Sequence, residues 1–170
     1  MITSQTEFYN STVMFTEGYA DSIDLTKLDS GFFSLFLSST LYLGQNTEIR
    51  NMKALNQAVL SAYSMSNVYI SDDVRFINNT AISSTGQTIS LQNTDVVEIS
   101  DAHFESNLQI NVLVELSTLK IENSTFTLGD ANHIKGLDSS VILDNVRIYD
   151  SEAVQAGHGF LCERCSFVAV

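Results

Sequence analysis

A single phrase recurs along this chain and limits what it can fold into. Ile70 to Ile82, ISDDVRFINNTAI, places an apolar residue, a short polar turn, a bulky apolar anchor and then Asn-Asn before a second apolar pair. Aligned on the anchor, the phrase returns at Phe8, Leu28, Ile49, Phe76, Phe104, Phe126, Ile148 and Phe167, at intervals of 20, 21, 27, 28, 22, 22 and 19 residues. Two further positions keep step. Ile2, Ile23, Leu43, Ile70, Ile99, Ile121, Leu143 and Cys162 precede the anchors by five or six residues. Met14, Leu55, Ile82, Ile110 and Val154 follow them by six. A small polar residue often stands two after the anchor, as at Asn10, Ser30, Asn51, Asn78, Ser106 and Asp150; Leu128 departs from this.

Within each phrase the apolar positions alternate, which is the pattern of short strands. A rung of this length cannot bury its own apolar face, so rungs must stack. The expected fold is all-β, a right-handed parallel β-helix of about eight partial rungs. The hand follows from the rule for parallel crossovers. Equivalent residues would lie roughly 4.8 Å apart, giving a solenoid roughly 40 Å long with the anchors as one inward ladder. The chain reads as one domain, 1–170. The longer intervals place projecting loops near Ser61 to Asn67 and Ser83 to Asp95, and Gly31 to Gly44 reads as two core strands with a bend. Thr47 to Tyr63 fits the repeat phrase as strand, with a short helix over the solenoid as the competing reading.

Net charge is −12, from 20 acidic and 8 basic residues. Such a surface repels nucleic acid, which needs clustered Lys and Arg. No run is long enough to span a membrane, and the first residues lack the basic and apolar regions of a signal peptide. Both termini fall inside rungs, without the atypical capping repeats of solenoids. The expectation is therefore a segment of a longer solenoid, or a unit meeting another copy end to end.

Candidates for chemistry are short. Asp72-Asp73, Asn93-Thr94-Asp95 and Gly157-His158-Gly159 resemble motifs of polygalacturonases, in which paired carboxylates act on a glycosidic bond. Here the Asp pair precedes the Asn-Thr-Asp, and no Arg-Ile-Lys follows. Order along a solenoid is position along its axis, so the reading of Asp72, Asp73, Asp95 and His158 as turn residues is preferred to a catalytic one. A calcium-assisted lyase of the pectate-lyase kind would need stacked acids with a nearby Arg; Arg75 lies near Asp72 and Asp73 but also fits as an outward strand residue. Cys162 and Cys165 form the one CxxC, half of a zinc site at most; they read as small core residues, or as a local disulfide. His103, His133 and His158 share no repeat position and read as surface or loop residues. No metal site and no cofactor is expected. Asn10, Asn78 and Asn123 each open an Asn-x-Ser/Thr sequon. Asn10 and Asn78 share a repeat position, so glycans there would line one edge. Asn also suits such turns because it tolerates left-handed backbone.

Phe76 to Asn79 and Phe104 to Asn107 spell Phe-x-x-Asn. This resembles the repeat of polymorphic outer-membrane proteins and related right-handed β-helix surface proteins, whose accompanying Gly-Gly-Ala phrase is absent here. The resemblance implies an extracellular or cell-surface location and a structural or adhesive role, and transfers no catalytic residue. The expected function is a non-catalytic surface β-helix segment. Its expected partners are other copies or further rungs at both ends, and carbohydrate, with neither nucleic-acid binding nor membrane insertion. The alternatives are a fragment of a β-helical polysaccharide lyase or glycoside hydrolase, and a carbohydrate-binding module.

Overall fold

The structure is a computed structural model that describes residues 6–9, 12–16, 18–25, 32–129, 132–150 and 159–170. Among these residues every regular element is a strand, and all strand pairs are parallel. The first coil holds β1 (Thr6–Tyr9), β2 (Thr12–Thr16), β3 (Tyr19–Asp21) and β4 (Asp24–Leu25). The second holds β5 (Phe33–Phe36), β6 (Thr40–Gly44), β7 (Glu48–Arg50) and β8 (Lys53–Ala54). The third holds β9 (Gln57–Tyr63), β10 (Asn67–Ile70), β11 (Val74–Ile77) and β12 (Thr80–Ala81). Three strands each follow in the fourth to sixth coils: β13 (Gln87–Gln92), β14 (Val97–Ser100) and β15 (Ala102–Glu105); β16 (Ile110–Glu115), β17 (Thr118–Glu122) and β18 (Thr125–Thr127); β19 (Ile134–Leu137), β20 (Ser140–Asp144) and β21 (Arg147–Tyr149). A seventh coil contributes β22 (Phe160–Glu163) and β23 (Ser166–Ala169).

Equivalent strands of successive coils stack into sheets. Sheet A runs β1-β5-β9-β13-β16-β19-β22, and sheet B runs β2-β6-β10-β14-β17-β20-β23. Sheet C runs β3-β7-β11-β15-β18-β21, and a short sheet D runs β4-β8-β12. The fold is thus a parallel β-solenoid, with seven coils among the described residues rather than the eight expected.

The anchor ladder is present through its middle. Ile49, Phe76, Phe104, Phe126 and Ile148 are register partners in sheet C. Phe76, Phe104 and Phe126 are fully buried, with ring centroids 4.7 and 4.5 Å apart and near-parallel planes. That separation is the spacing of adjacent strands, so sheet geometry itself sets the stack. The ends of the ladder are corrected. Phe8 belongs to sheet A, opposite Leu35, and Phe167 to sheet B, opposite Val141. The residue that continues the ladder below Ile49 is Ala20. Leu28 lies outside the described residues. An alanine in an aromatic column gives no signal in a search for bulky anchors, and so one long coil was divided into two short ones.

The second column holds where expected for Leu43, Ile70, Ile99, Ile121 and Leu143, which stack in sheet B. Phe15 precedes them and Ala169 follows, in place of Ile23 and Cys162; Ile2 lies outside the described residues. The position six after the anchor is not a core column. Met14, Leu55 and Ile82 are exposed, and Ala54 and Ala81 of sheet D face inward beside the latter two. Val154 lies outside the described residues.

The longer coils carry the expected loops only in part, the second being confined to the turn from Ser83 to Gly86. Ser61 and Ala62 are buried in β9, and Gln87 to Leu91 are buried in β13. The additional residues form the fourth side, sheet D, and the turn from Ser83 to Gly86. Residues 47–63 hold the strands β7, β8 and β9 with corners between them and no helix, and β5 and β6 are the two core strands expected between 31 and 44.

Corners between sheets use left-handed backbone. Ser22, Asn51, Asn78, Ser106, Leu128 and Asp150 all have φ between 50° and 58° at the corner after sheet C, so Leu128 departs from the pattern in residue type but not in conformation. Buried polar groups at corners are paired. Asn79 Oδ1 accepts the Met52 N–H (3.1 Å), and Asn79 Nδ2 donates to the Ile49 carbonyl (3.0 Å). Asn107 Nδ2 donates to the Phe76 carbonyl (2.9 Å). The Phe-x-x-Asn spacing has this physical basis: the asparagine closes the corner that its own coil's anchor opens, on backbone of the coil before. At the corner from A to B, the Ser39, Ser66, Ser117 and Ser139 hydroxyls each donate to a carbonyl two or three residues earlier.

Candidate functional site

The side chains with the most connected chemistry lie on the outer face of sheet C. Inward and outward residues alternate along each strand. With Phe76, Phe104, Phe126 and Ile148 turned inward, the residue before each one, Arg75, His103, Thr125 and Arg147, forms an outward column. Arg75, Ile77, His103, Phe104, Glu105, Thr125 and Thr127 line a shallow groove of about 310 Å³.

Asp73 closes the upstream end of this column. It sits at the corner from sheet B to sheet C, where Asp72 and Asp73 both have φ of 62°. The Arg75 guanidinium donates to both Asp73 oxygens, Nε at 3.2 Å and Nη2 at 3.0 Å. These bonds hold the Asp73 carboxyl below the usual carboxylate range, and the neighbouring His103 acts in the same direction. His103 Nε2 lies 3.3 Å from Asp73 Oδ1, and His103 Nδ1 lies 2.6 Å from Thr125 Oγ1. Carboxylate, imidazole and hydroxyl thus form one chain across three coils.

The sequence candidates do not come together. Asp72 and Asp73 occupy the corner from B to C in the third coil. Asp95 is exposed at the corner from A to B in the fourth, its N–H on the Ser66 carbonyl at 3.0 Å. His158 lies outside the described residues. Asp95 is therefore at a different corner from Asp72 and Asp73. Among the described residues no group of three or more His, Cys, Asp or Glu side chains is placed to hold a metal ion.

His133 is not a surface residue. It is fully buried, stacked obliquely on Phe126 at 5.7 Å, with Nδ1 2.6 Å from Asn111 Nδ2. Burial pushes its pKa down to about 4. Gly129 makes the room: a Cβ there would stand 2.5 Å from His133 Cε1. Gly129 occupies the position of Asn79 and Asn107, so the imidazole fills the space where the asparagine ladder stops.

Cys162 pairs in register with Gly136 of sheet A rather than with the column of Ile121 and Leu143, and Cys165 falls where Ser139 and Ser117 fall. Their Cα atoms are 5.7 Å apart and the two sulfurs are in contact. Gly136 lies beneath them; a Cβ there would meet Cys165 Sγ at 3.0 Å and Cys162 Sγ at 3.4 Å. Of the sequon asparagines, Asn78 is exposed after sheet C and donates to Asn51 Oδ1 (2.6 Å). Asn123 is exposed between B and C and accepts from Asn145 Nδ2 (2.9 Å). Asn10 lies outside the described residues.

The outward column was legible in outline, because the aligned anchors already placed Arg75, His103, Thr125 and Arg147 in one row. The link to Asp73 was not, since it depends on how the corner turns. No protein-family model matches the chain, and neither does a curated protein or a solved structure.

Proposed function

We propose that this chain is a structural, adhesive β-helix segment of an extracellular or cell-surface protein, whose coils stack on further coils of the same kind. The observation that carries the reading is at β22 and β23. The inward column Val13, Leu41, Val68, Val97, Leu119 and Val141 ends on Phe167. Phe167 stacks on Phe160 at 4.5 Å yet is 46 % exposed, whereas Leu119 and Val141 are fully buried. Among the described residues, a half-exposed aromatic beside the outer edge of β23 is a surface that a parallel strand of another copy can cover. The Phe-x-x-Asn corners support a kinship with polymorphic outer-membrane and related surface β-helix proteins. This role requires no chemistry of the chain.

Sedimentation and electron microscopy of the isolated chain test the stacking. Concentration-dependent, end-to-end particles are expected, and Phe167→Asp should abolish them. A strictly monomeric species at high concentration would count against the proposal. Expression through a eukaryotic secretory pathway tests location: glycan mass at Asn78 or Asn123, both on exposed corners, is the expected result.

A further inference from the structure

Going beyond the scaffold reading and independent of it, we propose that the groove on sheet C is a hydrolytic site for small carboxylic esters, with Thr125 as nucleophile, His103 as general base and Asp73 as the group that positions the imidazole. The geometry sets the roles. Asp73 Oδ1 is 3.3 Å from His103 Nε2, so the ring proton on Nε2 points to the carboxylate and the Nδ1 lone pair is turned to Thr125. Thr125 Oγ1 lies 2.6 Å from that nitrogen, within reach for proton transfer. Arg75 fixes Asp73 through two hydrogen bonds and so keeps the carboxylate ionised and aimed. The acid does not take the proton; it orients the imidazole and stabilises the imidazolium that forms.

Arg147 is the register partner of Thr125 on the next strand, outward and exposed. The groove volume of about 310 Å³ admits a short acyl group and a small alcohol.

The bond changes balance without a co-reactant other than water. The Thr125 hydroxyl gives its proton to His103 Nδ1 as its oxygen bonds to the acyl carbon. The C–O bond of the ester breaks, and the alcohol leaves with the proton from His103. Water, deprotonated by the same nitrogen, then releases the carboxylic acid and restores Thr125.

Two probes test this on the 170-residue chain: 4-nitrophenyl acetate for turnover, and a biotinylated fluorophosphonate, whose fluoride leaves as phosphorus bonds to the nucleophilic oxygen. The expected results are an adduct mapped to Thr125 by peptide mass and turnover of the acetate ester. Thr125→Val should abolish the adduct, and His103→Gln should lower both signals by at least about tenfold. Thr125→Ser should retain them. Asp73→Asn should lower kcat with little change in KM, a split that a loss of substrate binding would not give. Each variant is scored only with a wild-type circular dichroism spectrum and melting temperature; if Thr125→Val melts early, Asp73→Asn and Thr125→Ser decide alone. Absence of an adduct, an adduct on another hydroxyl, or turnover surviving Thr125→Val through the imidazole acting by itself overturns the proposal.

Discussion

Asn107 Oδ1 accepts two hydrogen bonds from Asn79, one from its backbone N–H at 2.8 Å and one from its side-chain Nδ2 at 3.0 Å, with both residues fully buried. This double bond joins two coils at a corner where water is excluded. Asn107→Ala leaves both Asn79 donors less satisfied and frees the Phe76 carbonyl. We expect a loss of about 2–4 kcal/mol in unfolding free energy, measured by urea denaturation. A loss below about 1 kcal/mol would show that the corner relaxes to admit water.

Phe104 is clamped between Phe76 and Phe126, with ring centroids 4.7 and 4.5 Å away. Phe104→Ala removes the middle of the stack and leaves a cavity in the core. The expected cost is about 3–5 kcal/mol. Phe104→Leu, which keeps most of the volume, should cost no more than about 1.5 kcal/mol. Equal losses for the two would mean that stacking, rather than filled space, holds the column.

His133 makes stability depend on pH. Its folded pKa of about 4 is below the ordinary 6.5, so the folded state favours the neutral ring. The associated stability is fully present above pH 6.5 and is lost as pH falls from there towards about 4, a total of roughly 3 kcal/mol for one buried imidazole. The melting temperature should fall across that window. In His133→Leu the fall should be flatter by the same amount, with the remaining slope set by carboxylates. Parallel curves for the two proteins would show that the ring opens to solvent before it protonates.

A side chain at Gly136 should destabilise the last coil. Its Cβ would stand 3.0 Å from Cys165 Sγ, 3.2 Å from Val141 Cγ2 and 3.4 Å from Cys162 Sγ. Gly136→Val pushes the paired sulfurs off sheet A, at a cost of about 1–3 kcal/mol. Hydrogen exchange in β22 and β23 should quicken while β9 to β15 stay protected. In the wild-type chain, iodoacetamide without reductant should leave both cysteines unmodified.

Much of the solenoid could be read without coordinates, and the reasons lie in particular residues. Phe76, Phe104 and Phe126 are large, evenly phrased and followed by polar corners, so their alignment was unambiguous. Near the start, Ala20 holds the same place but looks like any small residue, while Phe8 and Leu28 look like anchors. At the other end Phe167 carries the anchor's chemistry in a different sheet. Bulk marks an inward position; it does not say which of three sheets the position faces. The site was less legible for a related reason. Arg75, His103 and Thr125 could be aligned, but Asp73 joins them only because the corner has left-handed backbone that turns its carboxylate onto the face.

By itself the sequence determined that this chain folds as parallel coils with a common apolar interior, because each phrase is too short to bury its own hydrophobic face and must use its neighbour's. Tertiary structure alone decided the register at the ends, the burial of His133 and the meeting of Asp73, His103 and Thr125. Each of these depends on contacts between residues more than 20 apart, and coils of unequal length leave such separations unset until the strands pair.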